Sequence, residues 1–207
     1  MGSSTVQKRD VEAFEAALLS DGVGLFPADT VYGLAADAES TRGVERLYDL
    51  KGRPPAKPAA VMFFDPDLVL GLARDLGPRT RAALARLLPG PVTLIVPNPE
   101  RRYPLACGPA PDRLGIRVPG LPEPLAPLLA IRRPILQSSA NPSGGPDPRR
   151  LEDVEPAIRA GVDAEVDGGE LPGTASTVVD LTRYEVAGHY EVLRAGAVAP
   201  ERIAELL

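Results

Sequence analysis

The chain is short of the residues on which most thiol and metal chemistry depends. It has one cysteine, Cys107, and one histidine, His189. A lone cysteine forms no internal disulfide, which fits a reducing cytoplasm. One Cys and one His, far apart, exclude a Cys/His zinc site and a Cys–His dyad. No apolar run is long enough to span a membrane, and the first residues lack the apolar core of a signal peptide. Three signatures are also missing: G-x-x-x-x-G-K-[ST], G-x-G-x-x-G after a strand, and the G-x-S-x-G elbow. Lysine is scarce too. Among 23 Lys plus Arg, only Lys8, Lys51 and Lys57 are lysines. The net charge of -5 excludes a basic surface along the whole chain but leaves room for a local basic cleft.

What is present reads as a globular protein. A length of 207 residues, 44% hydrophobic and 25% charged, suits one domain with a sizeable core. No internal repeat or long linker divides it, so a single domain over 1–207 is expected. The 24 prolines and 20 glycines are spread between apolar segments and read as loop chemistry. Asp10 can cap a helix with Val11, Phe14 and Leu18 inward and Gly22 as its stop. Ser40 or Thr41 can start a second, with Val44, Leu47 and Tyr48 on one face. Further helices are predicted over 78–88, around Leu125, Leu128 and Leu129, over 151–160 and over 200–207. Strands are predicted over 23–27, 59–64, 92–96, 114–118, 134–137, 164–167, 176–181 and 190–193. Residues 97–113 read as a long irregular loop. Mixed in this way, strands and helices define an α/β (α+β) sheet domain.

Two of the three lysines fall in Lys51-Gly52-Arg53-Pro54-Pro55-Ala56-Lys57-Pro58. Proline fixes φ and pushes the preceding residue toward extended backbone. The segment therefore reads as a stiff extended loop, either a solvated charged turn or a cradle for an anion. Three further loops at strand ends, 28–33, 138–145 and 168–176, are rich in hydroxyls, amides and glycine, and such loops commonly surround a ligand. Ser139 and Asn141 alternate and can face one side, with Gly144-Gly145 freeing backbone N–H groups for an anion; an ordinary Asx turn before proline is the alternative. Thr30 and Tyr32 read as substrate contacts or strand-end packing. Arg117, in the middle of a strand, is a carboxylate clamp or half of an internal ion pair. Ser176 is a binding hydroxyl or a strand cap, and Arg194 a phosphate contact or a surface charge. His189 reads as an exposed strand residue rather than a base, and Cys107 as incidental.

Seven segments, taken in order, resemble the YrdC/TsaC family, the threonylcarbamoyl-AMP synthases. They are Pro27-Ala-Asp-Thr-Val-Tyr-Gly-Leu34, Lys51-Gly-Arg-Pro54 with Lys57-Pro58, Leu88-Pro-Gly-Pro-Val-Thr-Leu94, Gly115-Ile-Arg-Val-Pro119, Ser139-Ala-Asn141 with Ser143-Gly144, Ser176-Thr-Val-Val-Asp180, and Leu193-Arg-Ala-Gly196. The resemblance implies a twisted mixed sheet flanked by helices around a large concave basic cavity. It also implies a reaction, in which L-threonine and bicarbonate or carbon dioxide give a carbamate. The carbamate attacks the α-phosphate of ATP to give threonylcarbamoyl-AMP and pyrophosphate. Partner proteins then transfer the threonylcarbamoyl group to tRNA, and family members are also described as binding double-stranded RNA.

By position, the resemblance puts Lys51, Arg53, Lys57, Asn141, Arg149 and Arg194 on ATP, with Lys51 and Arg53 catalytic. It puts Thr30, Arg117, Ser139 and Ser176 on threonine, Arg117 on its carboxylate, and has Tyr32 line the pocket. Mg2+ would arrive with the nucleotide. Two positions depart from the pattern. Met62 stands where many relatives carry a His near threonine, and Arg113 replaces a small hydroxyl residue. Two other readings remain open: an RNA-binding protein without this chemistry, and a carbamoyl-transfer module with another acceptor.

Overall fold

The computed structural model describes residues 5–207. Its strands are β1 (Gly24–Pro27), β2 (Tyr32–Asp37), β3 (Ala60–Met62), β4 (Val92–Pro97), β5 (Arg113–Arg117), β6 (Ile135–Ser139), β7 (Ala164–Glu165), β8 (Thr177–Asp180) and β9 (Glu191–Arg194). They form one sheet in the order β7-β1-β2-β6-β3-β5-β4-β8-β9. The pairs β1/β7, β3/β5 and β4/β8 are parallel and the other five antiparallel. The mixed α/β class expected from the sequence is the one observed.

The helices are α1 (Lys8–Leu19), α2 (Thr41–Lys51), α3 (Pro66–Leu72), α4 (Pro78–Leu87), α5 (Pro104–Cys107), α6 (Pro156–Ala160), α7 (Tyr184–Ala187) and α8 (Pro200–Leu206). Helix α1 packs on β1, β2 and β7, α2 on β2, and α4 on β4. Phe14 of α1 meets Phe26 of β1 at 5.6 Å between ring centroids, and Phe26 meets Phe64 at 6.1 Å. All three rings are buried and contribute to the core under α1.

Several boundaries differ from expectation. Residues 32–37 are a strand paired with both β1 and β6, not the end of a loop. Their Gly, Ala and Asp content hides the strand from a propensity argument. Gln7, not Asp10, is the N-cap of α1, and it makes no side-chain cap bond. The stretch 151–160 is split into a 3-10 turn (Leu151–Asp153) and α6. Pro156 opens α6 and holds Glu155 extended, with ψ 133°. The short helices α3, α5 and α7 were not anticipated. Residues 123–130 form a 3-10 helix with Leu129 exposed. His189 is exposed but lies outside the strands.

Candidate active site

Strand alternation builds the floor of the site. Successive residues on a strand point to opposite faces. On β5, Leu114 and Ile116 enter the core, while Arg113, Gly115 and Arg117 line a cavity of about 450 Å³. Gln137 and Ser139 on β6 and Thr93 and Ile95 on β4 line it as well. Ala60 pairs in register with Gly115 and Gln137. Ala60 and Gly115 carry little or no side chain and keep the middle of the floor low.

Helix α2 ends in a Schellman arrangement. Gly52 sits at φ 60°, Arg53 N–H bonds the Tyr48 carbonyl at 2.8 Å, and Gly52 N–H bonds that of Asp49 at 3.0 Å. Lys51 is therefore the last helical residue, not part of an extended loop, and its side chain turns inward to 5% exposure. Its Nζ donates to the Ser139 carbonyl, to the Asn141 carbonyl at 2.6 Å and to Asn141 Oδ1 at 2.7 Å. Burial, with Arg53 and Lys57 nearby, draws the Lys51 pKa down to about 8, while Asp147 pulls it up. Ser139 Oγ donates to Asn141 Oδ1 at 2.6 Å, so the alternating pair does meet on one side. The Gly145 N–H bonds the Pro142 carbonyl at 2.9 Å, closing a backbone β-turn over residues 142–145 and removing one donor from the expected anion nest.

Residues 52–58 are stiffened by more than proline. Arg53 donates to the Pro58 carbonyl, and its guanidinium lies 5.6 Å from the centre of the Tyr48 ring. Tyr48 Oη donates to the Lys57 carbonyl at 2.9 Å. Lys57 itself is exposed at the cavity rim.

Arg117 is 3% exposed. It pairs with Asp29, and both side chains are only 4% accessible. Its Nη2 also donates to Thr30 Oγ1 at 2.6 Å. The second Asp29 oxygen accepts the Gly120 N–H at 2.8 Å. Arg117 Nε is the one buried side-chain polar atom among the described residues without a partner. Burial pushes the Arg117 pKa down while Asp29 pulls it up. Beside it, Ser176 Oγ and Thr93 Oγ1 lie 2.8 Å apart. Arg194 donates to Ser176 Oγ at 3.1 Å and to its carbonyl at 2.7 Å.

Eight of the eleven residues singled out from the sequence line this one cavity: Lys51, Arg53, Lys57, Arg117, Ser139, Asn141, Ser176 and Arg194. Three do not. Thr30 is fully buried behind Arg117. Tyr32 does not line the pocket. It is buried in β2, and its hydroxyl bonds Asp167, the Gly169 carbonyl and the Gly168 N–H. Burial raises its pKa, opposed by that Gly168 N–H and reinforced by Asp167. Arg149 turns outward to pair with Glu170 at 2.9 Å. Its stem lies over Gly173, which at φ 83° has no room for a Cβ. Met62 is buried beside Arg117 in register and is not part of the lining.

Thr93, Gln137 and Asp147 line the cavity as well, and Asp29 supports it through Arg117, although none carries a functional mark in the sequence. Thr93 sits two residues from Ile95 and shares its face, a signal that period-two counting would have found. Cys107 lines the cavity, with its thiol pKa raised by burial. Among the described residues no group of three or more His, Cys, Asp or Glu is placed to hold a metal, and no helix is long and apolar enough to cross a membrane.

A basic cavity over a mixed sheet, with a buried arginine and a lysine-fastened serine–asparagine turn, is chemically suited to small anions. The family model Sua5_yciO_yrdC, described as "Telomere recombination", matches residues 16–196. The chain belongs to this family. It is 32% identical over 183 residues to a threonylcarbamoyl-AMP synthase of Pyrococcus abyssi (strain GE5 / Orsay), covering 88% of this chain and 52% of that protein. To the threonylcarbamoyl-AMP synthase of Bacillus subtilis (strain 168) it is 34% identical over 196 residues, covering 93% and 55%. It thus spans about half the length of these two relatives. A crystal structure of P. abyssi Sua5 complexed with L-threonine superposes with a TM-score of 0.83 at 29% identity, covering 97% of this chain and 58% of that one.

Proposed function

We propose that this chain is an L-threonylcarbamoyladenylate synthase acting in the cytoplasm as a single domain. The threonine nitrogen takes up carbon dioxide, free or from bicarbonate, and loses a proton to give a carbamate. A carbamate oxygen then bonds the α-phosphorus of ATP as the bond to the bridging β-oxygen breaks, and pyrophosphate leaves with that electron pair. The observation that carries this reading is the charge pattern of the cavity. Six cations line it, and only Arg113 and Arg117 have carboxylate partners, Asp180 and Asp29. Lys51, Arg53, Lys57 and Arg194 leave positive potential where phosphate charge would develop, and fixed cations of this kind supply most of the catalysis in phosphoryl chemistry.

In this reading the Arg117 Nε, with Ser176 and Ser139, receives the threonine carboxylate and hydroxyl, with Thr30 holding Arg117 from behind. Asn141, Arg53, Lys57 and Arg194 face the nucleotide. Arg149 would join them only by leaving Glu170. Mg2+ would enter on the triphosphate. The donor set fits that role, because the lining offers one carboxylate and no cage of ligands. Bound there, Mg2+ would neutralise phosphate charge. The product would pass to proteins that transfer its threonylcarbamoyl group to tRNA.

The test is direct. The protein is incubated with ATP, bicarbonate and isotopically labelled threonine, and the products are read by mass spectrometry with a pyrophosphate assay alongside. Labelled threonylcarbamoyl-AMP and matching pyrophosphate are expected. Absence of both overturns the reading.

A further inference from the structure

Six cations and a single acid, Asp147, line the cavity. The neighbouring acids are committed. Asp29 holds Arg117 and the Gly120 N–H. Asp180 holds Arg113, the Thr182 N–H at 2.8 Å and Thr182 Oγ1 at 2.6 Å. Asp147 is half-buried, and among the described residues no hydrogen bond or ion pair engages its carboxylate.

Its backbone is nevertheless held. Pro146 and Pro148 flank it, restricting φ on either side. The Pro148 carbonyl accepts the Tyr32 N–H at 3.0 Å, which pins the loop to the start of β2. Asp147 lines the cavity together with Asn141, Ser143 and Gly144, and its charge is felt at Lys51. A fixed carboxylate in a cavity for polyphosphate repels that ligand unless a cation lies between them. Mg2+ binds in this way, through one or two carboxylates together with phosphate oxygens and retained waters.

We propose that Asp147 is the protein's contact for the divalent cation that accompanies the triphosphate, made directly or through one of the cation's waters. This rests on the reading of the cavity as an ATP site. It gives the 141–148 turn two tasks: Asn141 and the backbone face phosphate oxygens, and Asp147 faces the metal those oxygens carry.

The experiment is calorimetry with α,β-methylene-ATP, which cannot react at the α-phosphorus, in EDTA and then in Mg2+. The wild-type chain, Asp147→Asn and Asp147→Glu are compared. Electron paramagnetic resonance of Mn2+ added with the same analogue gives an independent readout. In the wild type, Mg2+ is expected to tighten the analogue. In Asp147→Asn that tightening shrinks by roughly tenfold or more, metal-free binding holds or improves because a negative charge has gone, and bound Mn2+ is released. Asp147→Glu restores part of both signals. Circular dichroism of Asp147→Asn should match the wild type, since the side chain anchors nothing in the fold. An unchanged Mg2+ effect in Asp147→Asn overturns the proposal. So does an equal weakening with and without metal, which is the mark of a field effect on Lys51. Both outcomes leave the synthase reading standing if labelled product forms. A wild-type chain that binds no analogue overturns the proposal and the synthase reading together.

Discussion

Two buried cations that line the same cavity are satisfied in opposite ways. Arg117, on β5, is cancelled by the carboxylate of Asp29, and its remaining donors are directional. Lys51, at the end of α2, has no carboxylate in contact and is surrounded by oxygens of Ser139 and Asn141. The planar guanidinium fork suits a carboxylate, while the compact ammonium with three protons suits a turn lined with carbonyls. The Arg117–Asp29 pair therefore offers geometry with little net charge of its own, as recognition of an amino-acid carboxylate requires. The Lys51 site keeps a net positive charge, as a triphosphate requires. Lys51 holds that charge only while protonated.

The largest effect should come from breaking the arginine side. Asp29→Ala leaves Arg117 buried without its counter-ion, and removing one member of such a pair costs about 3–5 kcal/mol. Urea denaturation should show the loss. A change below about 1 kcal/mol would mean that solvent already reaches Arg117 and that the two cations are not so different.

Breaking the lysine side should cost less stability and more activity. Lys51→Met keeps the stem but takes the ammonium's bonds away from the Ser139 and Asn141 carbonyls and leaves Asn141 Oδ1 with Ser139 Oγ alone, at about 1–3 kcal/mol. Turnover should fall by roughly a hundredfold or more, as for loss of a transition-state donor. Near-normal turnover would show that the turn holds its shape without the ammonium.

pH sharpens the comparison further. Turnover should decline as pH rises through about 8, where Lys51 loses its proton. Lys57→Ala should move that midpoint up, because Lys57 lowers the Lys51 pKa. Stability should respond in the other direction. The folded pKa of Lys51 lies below the 10.5 of an exposed lysine, so the cost of burying its charge is present in full below about pH 8. That cost is relieved between there and 10.5, as the unfolded chain holds the proton longer. A flat activity profile from pH 7 to 9.5 would remove Lys51 from the charge balance of the site.

The smallest effect belongs to Ser176→Ala. It removes one hydroxyl shared with Thr93 and Arg194, worth about 1 kcal/mol of stability. KM for threonine should rise several-fold while kcat changes less. The reverse split would put Ser176 on the nucleotide side.

Much of this was legible because local patterns report local geometry. Ser40 caps α2 through Gly43 N–H as its position before an amphipathic run implied. The cation-bearing loop, the serine–asparagine turn and the arginine in a strand were all visible as chemistry in search of a ligand. Tyr32 was not separable from a pocket residue, because nothing near it in the chain shows that residues 167–169, some 135 positions away, take its hydroxyl. Arg149 was misleading for the same reason. Its partner Glu170 lies in another loop, brought close by the fold.

The sequence by itself determined which side chains share a face. In Arg113-Leu114-Gly115-Ile116-Arg117, the pleat sends every second residue to the cavity and the others to the core, whatever the rest of the chain does. Only the tertiary structure decided who meets whom. Arg117 lies 88 positions from Asp29 and Lys51 90 from Asn141. Those meetings follow from a strand order that sets β3 between β6 and β5 and β2 beside β6. Partner choice across such separations depends on how the whole sheet buries its apolar face. No short stretch of the chain carries that information.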